Sequence, residues 1–223
     1  MRSVPETAVD MGLSVERVRQ LIAAGKVSAV RLGGRWVVDD APLRPTARVA
    51  GRPWSAGAAW GLLWLGLDRP APWLSAKQRQ RARHRWEEGL NAHLDRLASR
   101  SEARFFRSHP AALRRLASDR RVVLSGVSAA DAVDADLVAS EELEVYVRAA
   151  DLGGLVTSFG LEQTSEGTRN VVARVVAGEW PFVEDEHVAP ALVVAIDLME
   201  STDQRTERAG RALLARELKR LRN

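Results

Sequence analysis

The sequence predicts an α+β protein in three parts: a module of two helices and a two-stranded wing over residues 1–40, a linker and Trp/Arg-rich helical segment over 41–107, and a mixed α+β domain over 108–223. Three observations carry that expectation. Between Ser3 and Asp40, two capping serines each precede a short amphipathic run, and a Gly-Gly pair then separates two β-rich runs. Between Ser55 and Arg100, apolar residues recur at helical spacing among many arginines. Beyond Ser108, β-branched runs alternate with helical stretches.

Ser3 can cap a first helix. Pro5 then falls in the first turn, where a missing N–H costs nothing, and Ala8, Val9 and Met11 give an apolar side before Gly12 ends the run. Ser14 is placed to cap a second helix, Val15 to Ala24, in which Val15, Val18, Leu21 and Ile22 fall at i, i+3, i+6 and i+7 as one buried stripe. Glu16, Arg17, Arg19 and Gln20 are left facing outward. Gly25 is the expected stop, and Lys26 begins the turn into a strand. VSAVRL and RWVV follow as strands, and Gly33-Gly34 between them can supply the positive φ angles of a two-residue hairpin.

So small a module buries little, so its second helix and wing are expected to present a surface. That surface is basic: Ser14, Arg17, Arg19 and Gln20 on the helix, with Arg31, Gly34 and Arg35 at the wing, are the candidate contacts to double-stranded DNA. A helix fits the major groove, where Arg and Gln can form paired hydrogen bonds to guanine or adenine edges, and a wing arginine can reach phosphate. The same arginines also fit a merely solvated cap.

Leu13-Ser14, Val18, Leu21-Ile22, Gly25-Lys26-Val27, Ala29 and Arg31-Leu32-Gly33-Gly34-Arg35-Trp36 resemble the winged helix-turn-helix of the MerR and excisionase type. That resemblance implies a DNA-binding fold. Arg17 stands where the family more often has Thr or Ser, and Ser28 where it often has Pro.

Asp39 to Pro53, rich in Pro, Gly and Arg, reads as a linker whose Arg44, Arg48 and Arg52 are solvated or touch phosphate. Ser55 caps an apolar helix to Leu67, with Trp60 and Trp64 four apart. DRPAPW breaks it. Ser75 opens a long helix through Arg100, with Ala82, Trp86, Leu90, Leu94 and Leu97 along one side. Trp60, Trp64 and Trp86 are candidates for a homodimer interface or, equally, for the monomer core. After Ser108 the reading is a helix from His109-Pro110 to Leu116, strand RVVLSG, helical VSAADAV, strand LEVYVRA, helix DLGGLVTSFG, strands NVVARVV and ALVVAIDL, and a last helix capped by Thr202 or Asp203.

Composition narrows the chemistry. The 33 Lys+Arg against 29 Asp+Glu give only +4, so charge distribution must carry any nucleic-acid argument. With no cysteine, disulfides, zinc–thiolate sites and thiol nucleophiles are excluded. MRSVPET lacks a signal-peptide core, and no apolar run approaches the roughly 18 residues of a membrane span, so a cytoplasmic protein without membrane contact is expected. His84, His93, His109 and His187 have no ligand spacing, Gly153-Gly154 lacks a following Lys-Ser/Thr, and no cofactor is expected. The best enzyme candidate is a divergent nucleotidyltransferase holding Mg²⁺ through Asp134, Asp136 and Glu144; solvated turn carboxylates are the plainer account, and no catalytic residue is expected. Asp197, Glu200 and Asp203 form a second acidic group, with capping to explain Asp203.

HPAALRRLASDRRVVLSGVSAADAV, LEVYVRAADLGGLV, NVVARVV and APALVVAIDLMESTDQRTERAGRALL resemble the effector part of AbiEi-type antitoxins of type IV toxin-antitoxin systems, over Ser108 to Leu221. The resemblance implies a non-enzymatic repressor that autoregulates its operon and counteracts a nucleotidyltransferase-like toxin. The chain departs from the commoner pattern by its MerR-like module and its inserted Trp- and Arg-rich segment. A protein-binding adaptor without DNA binding is the remaining alternative.

Overall fold

A computed structural model describes residues 2–10, 14–23, 27, 29–32, 35–38, 54–137 and 141–222. Expectations placed on Met11, Gly12, Gly25, Lys26, Ser28, Gly33 and the linker 39–53 lie outside the described residues. The fold is mixed α+β, in two compact units: Met1–Ala50 with Ser165–Gly167, and Gly51–Thr164 with Thr168–Asn223.

The first unit contains β1 (Arg2–Ser3), α1 (Val4–Asp10), α2 (Val15–Ala23), β2 (Ala29–Leu32) and β3 (Arg35–Val38). Ser3 does cap α1, and reciprocally: its N–H donates to Glu6 Oε2 at 2.7 Å while Glu6 N–H donates to Ser3 Oγ at 3.4 Å. The sequence reading missed β1. It pairs antiparallel with β3, which also pairs with β2 from Ala29↔Val38 to Leu32↔Arg35, giving the order β1-β3-β2. A strand of two residues carries no periodicity, so only its partner reveals it. Val4, Ala8, Val18, Val27 and Val38 form the core, with Val15, Ile22 and Ala29 against it.

The second unit begins with α3 (Ala56–Gly66), capped by Ser55 Oγ, which accepts from Ala58 N–H at 3.2 Å. This helix is apolar all round and correspondingly buried from Ala59 to Trp64. Of the two readings open for these tryptophans, Trp60 and Trp64 lie in the core, sealed inside this unit at 1% and 2% exposure; Trp86 is half-buried against the same core. α4 (Ala76–Glu88) starts from a full capping box between Ser75 and Gln78. The long helix expected through Arg100 stops at Gly89, whose φ of 100° a helix cannot contain, and continues as short turns around α5 (Leu94–Leu97).

β4 (Glu102–Arg107), α6 (Pro110–Ala117), β5 (Val122–Leu124), β6 (Leu143–Arg148), α7 (Ala149–Phe159), β7 (Glu162–Gln163), β8 (Val171–Val176), α8 (Ala191–Met199) and α9 (Gln204–Arg220) complete the unit. Its sheet runs β5-β6-β8-β4-β7, antiparallel except for the β6/β8 pair, which α7 joins as a crossover. Alternation assigns the two faces. Leu143, Val145 and Val147 of β6 with Val171, Ala173 and Val175 of β8 pack in one cluster with Leu116, Leu152 and Leu155, whereas Tyr146 and Val176 belong to the cluster of α3, α8 and α9. Both sheet faces are thus covered, and the helical segment read as 41–107 shares its core with residues beyond 108 from Trp54 onward.

Three element assignments change. ALVVAIDL is the helix α8: Pro190 stands at its N-cap and Leu192 to Leu198 are all buried, and an apolar run buried on every side has no period to separate helix from strand. EARFFR, left unassigned by its polar residues, is strand β4. VSAADAV forms two short 3-10 turns, Gly126–Ala129 and Asp131–Val133, in place of a helix. Among the described residues no helix is long and apolar enough to cross a membrane.

Candidate nucleic-acid interface

α2 presents the expected face. Ser14 Oγ accepts from Arg17 N–H at 3.2 Å, which anchors the first turn, and Val18 is wholly buried. Arg17, Arg19 and Gln20 are exposed beside it. The Arg17 guanidinium donates to Gln20 Oε1 at 3.1 Å, so the two polar heads sit together one helical turn apart. Arg19 lies 3.7 Å from Glu16, both more than half exposed, a pairing that solvent leaves weak and easily exchanged for phosphate. Arg31 and Arg35 are placed on β2 and β3 by the register Arg31↔Trp36 and Leu32↔Arg35; Gly34 lies outside the described residues. Trp36, given no role from the sequence, is 42% exposed on β3 and offers an aromatic face there; its signal was a tryptophan alternating with buried Val38.

The larger unit holds a buried charge network. Asp197, on α8, receives hydrogen bonds from the Arg100 guanidinium, from Ser125 Oγ and, at 2.8 Å, from Tyr146 O–H. Arg100 also donates through Nε to the Tyr146 hydroxyl at 2.9 Å and through Nη1 to Glu200 Oε1 at 2.6 Å. Arg174 donates to Glu144 Oε1 and to Glu200 Oε2, each at 2.6 Å, with Nε 3.3 Å from Asp197 Oδ1. The strands explain the convergence: Glu144 and Tyr146 are two apart on β6, and Tyr146 faces Arg174 across the parallel register. Asp197 and Glu200 were read as a group without a positioned partner at a strand end; they lie at the end of α8, and the two arginines are their partners.

Burial alone would lower the Arg100 and Arg174 pKa values, but the surrounding carboxylates outweigh it and hold both above the ordinary range. Burial likewise pushes the Glu144 carboxyl up, against the pull of Arg174. For Glu200 burial is overcome by Arg100 and Arg174, which hold it at about 2. A depressed carboxyl contributes stability above its ordinary value of 4.5 and loses it as pH falls from there through about 2, while Glu144, shifted the other way, favours the fold as it takes up its proton. Glu200→Gln should therefore cost about 2 kcal/mol at neutral pH, a figure reduced for its half-buried position, and should flatten the acid limb. Urea unfolding at pH 7, 4 and 2.5 checks this; an unchanged slope between pH 4.5 and 2 would contradict it.

The arrangement does not assemble the metal alternative. Asp134 and Asp136 are exposed, Asp134 in a left-handed turn whose carbonyl accepts from Arg216 at 3.0 Å, whereas Glu144 is buried against Arg174. Among the described residues no group of three or more His, Asp or Glu is placed to hold a metal ion. Gly126 enters the turn after β5 at φ 50°, and a Cβ there would lie 1.7 Å from Glu144 Oε2, so the Ser125-Gly126 pair makes room for the network. Arg100, Ser125, Tyr146 and Arg174 were not assigned a role from the sequence. The signal was present for two of them: Tyr146 and Arg174, like Asp197, are polar groups inside apolar runs, which burial obliges to find partners.

Comparison with protein-family models, curated proteins and solved structures gave no match.

Proposed function

We propose that the chain is a sequence-specific DNA-binding transcriptional regulator. Its N-terminal unit is a winged helix-turn-helix that reads the major groove with Ser14, Arg17, Arg19 and Gln20 of α2 and touches the backbone with Arg31, Gly34 and Arg35 of the wing. The observation that carries the reading is α2 itself, which buries Val18 completely while leaving Arg17, Arg19 and Gln20 exposed on a capped helix. The larger unit, with its likeness to AbiEi-type antitoxins from residue 108 onward, makes this a repressor of its own operon that counteracts a nucleotidyltransferase-like toxin in the cytoplasm. The buried network then has a structural role, clamping α8 to β6, β8 and the turn at Arg100.

Gel-shift titration with the DNA upstream of its own gene tests the reading. Arg17→Ala and Gln20→Ala should each weaken that complex by about 1–3 kcal/mol while changing binding to random duplex less. Arg35→Ala should weaken all duplexes alike. Absence of salt-sensitive binding by the wild type rejects the regulator and favours the adaptor. Co-expression with a nucleotidyltransferase encoded beside it tests the antitoxin role, growth rescue being the expected result.

A further inference from the structure

We propose that α4 is a second DNA contact, gripping the phosphate backbone of a duplex without regard to base sequence. The claim rests on the DNA-binding reading above and extends it to the larger unit. From Ala76 to Trp86 the helix carries Lys77, Arg79, Arg81, Arg83 and Arg85 and no acid. Glu87 and Glu88 come only at its end, where His84 and His93 lie against them: His84 Nε2 is 3.5 Å from Glu88 Oε1, and His93 Nε2 is 3.0 Å from Glu88 Oε2. The first three turns therefore keep an uncompensated positive charge.

Helical geometry sorts those cations into two pairs. Lys77 and Arg81, four apart, are exposed beside Gln80 on the side opposite buried Ala82. Arg79 and Arg83, also four apart, rim with Arg69 a cleft of about 510 Å³ that Leu65, Asp68, Pro70, Ala71 and Pro72 complete. Among the described residues Lys77, Arg81 and Arg83 have no ion-pair partner. Arg85 lies 4.3 Å over the Trp54 ring; burial first, then the like charge of Arg96 and Arg81, lowers its pKa against the opposite pull of Glu88, a crowding of cations along the helix.

An extended polyanion relieves it. From Lys77 to Arg85 the cations span about 12 Å of helix, and a duplex presents one phosphate charge per roughly 1.7 Å of axis over that length. An anionic membrane is the poorer match, because a helix that lies on lipid needs a free apolar face, and here Ala82 and Trp86 are packed into the core.

The test is fluorescence anisotropy of the full chain with labelled duplexes, one from its own upstream DNA and one of random sequence, between 50 and 200 mM KCl. The variant Lys77→Gln/Arg81→Gln/Arg83→Gln changes only exposed side chains and is checked by its melting curve. It should bind both duplexes more weakly by the same factor, and its log–log salt slope should be shallower by about 2 to 3, at about 0.9 per lost phosphate contact. Its preference for the upstream duplex should be unchanged. A variant that keeps the wild-type slope overturns the proposal while leaving base reading by α2 intact. Equal wild-type affinity for both duplexes, with the slope still lost in the variant, supports the α4 contact and rejects base reading. A wild type that binds neither duplex but sediments with anionic vesicles overturns both.

Discussion

Arg100→Met is expected to cost the larger unit about 3–5 kcal/mol, the range for removing one partner of a buried ion pair. Arg100 is fully buried, and its head serves Asp197, Glu200 and the Tyr146 hydroxyl together with the Leu97 carbonyl. Methionine matches much of its length but donates nothing. Asp197, 2% exposed, would keep Ser125, Tyr146 and the more distant Arg174, and half of the balancing charge would be gone. With a urea m-value of about 2 kcal/mol per molar, the midpoint should fall by about 2 M. Arg100→Lys should rescue little, because a single ammonium cannot reach three acceptors in a plane. Adding Asp197→Asn to Arg100→Met should recover part of the loss, since the orphaned charge is then removed. A loss below about 1 kcal/mol would show that water or relaxation replaces the guanidinium.

Trp64→Ala should be comparably severe, about 3–5 kcal/mol. The ring lies edge-on to Trp60 at 5.1 Å between centroids and to Phe182 at 5.6 Å, with the Arg69 guanidinium 5.3 Å above it. Trp60 in turn meets Tyr146 at 5.2 Å and donates its N–H to the Arg100 carbonyl at 2.9 Å, so the aromatic layer and the charge network support each other. The variant should unfold at lower urea without change of oligomeric state. Sedimentation equilibrium of variant and wild type at micromolar concentration checks this. A variant of unchanged stability that dissociates from a wild-type dimer would put the ring at an interface after all.

Local chemistry made much of the chain legible. Ser3, Ser14, Ser55, Ser75 and Asp203 were readable as caps because an N-cap needs only a side-chain oxygen and the few residues after it, and each accepts from the backbone where expected. β6 and β8 were readable from β-branched runs. α8 was not, since a run buried on all sides has the same composition in either conformation. The candidate DNA face was also legible, because exposure of Arg17, Arg19 and Gln20 follows from the helical period once Val18 is inside.

What the sequence alone determined, then, is the local grammar: which segments are capped, where α2 turns its apolar stripe, and the mixed α+β class. Only the tertiary structure decided that Trp60 and Trp64 are core residues, because a helix apolar on every side names no partner. Only it showed why Glu144, Tyr146, Arg174 and Asp197 interrupt apolar runs. Their partners lie 23 to 97 residues away, and a buried charge is tolerable only where the fold brings the opposite charge to it.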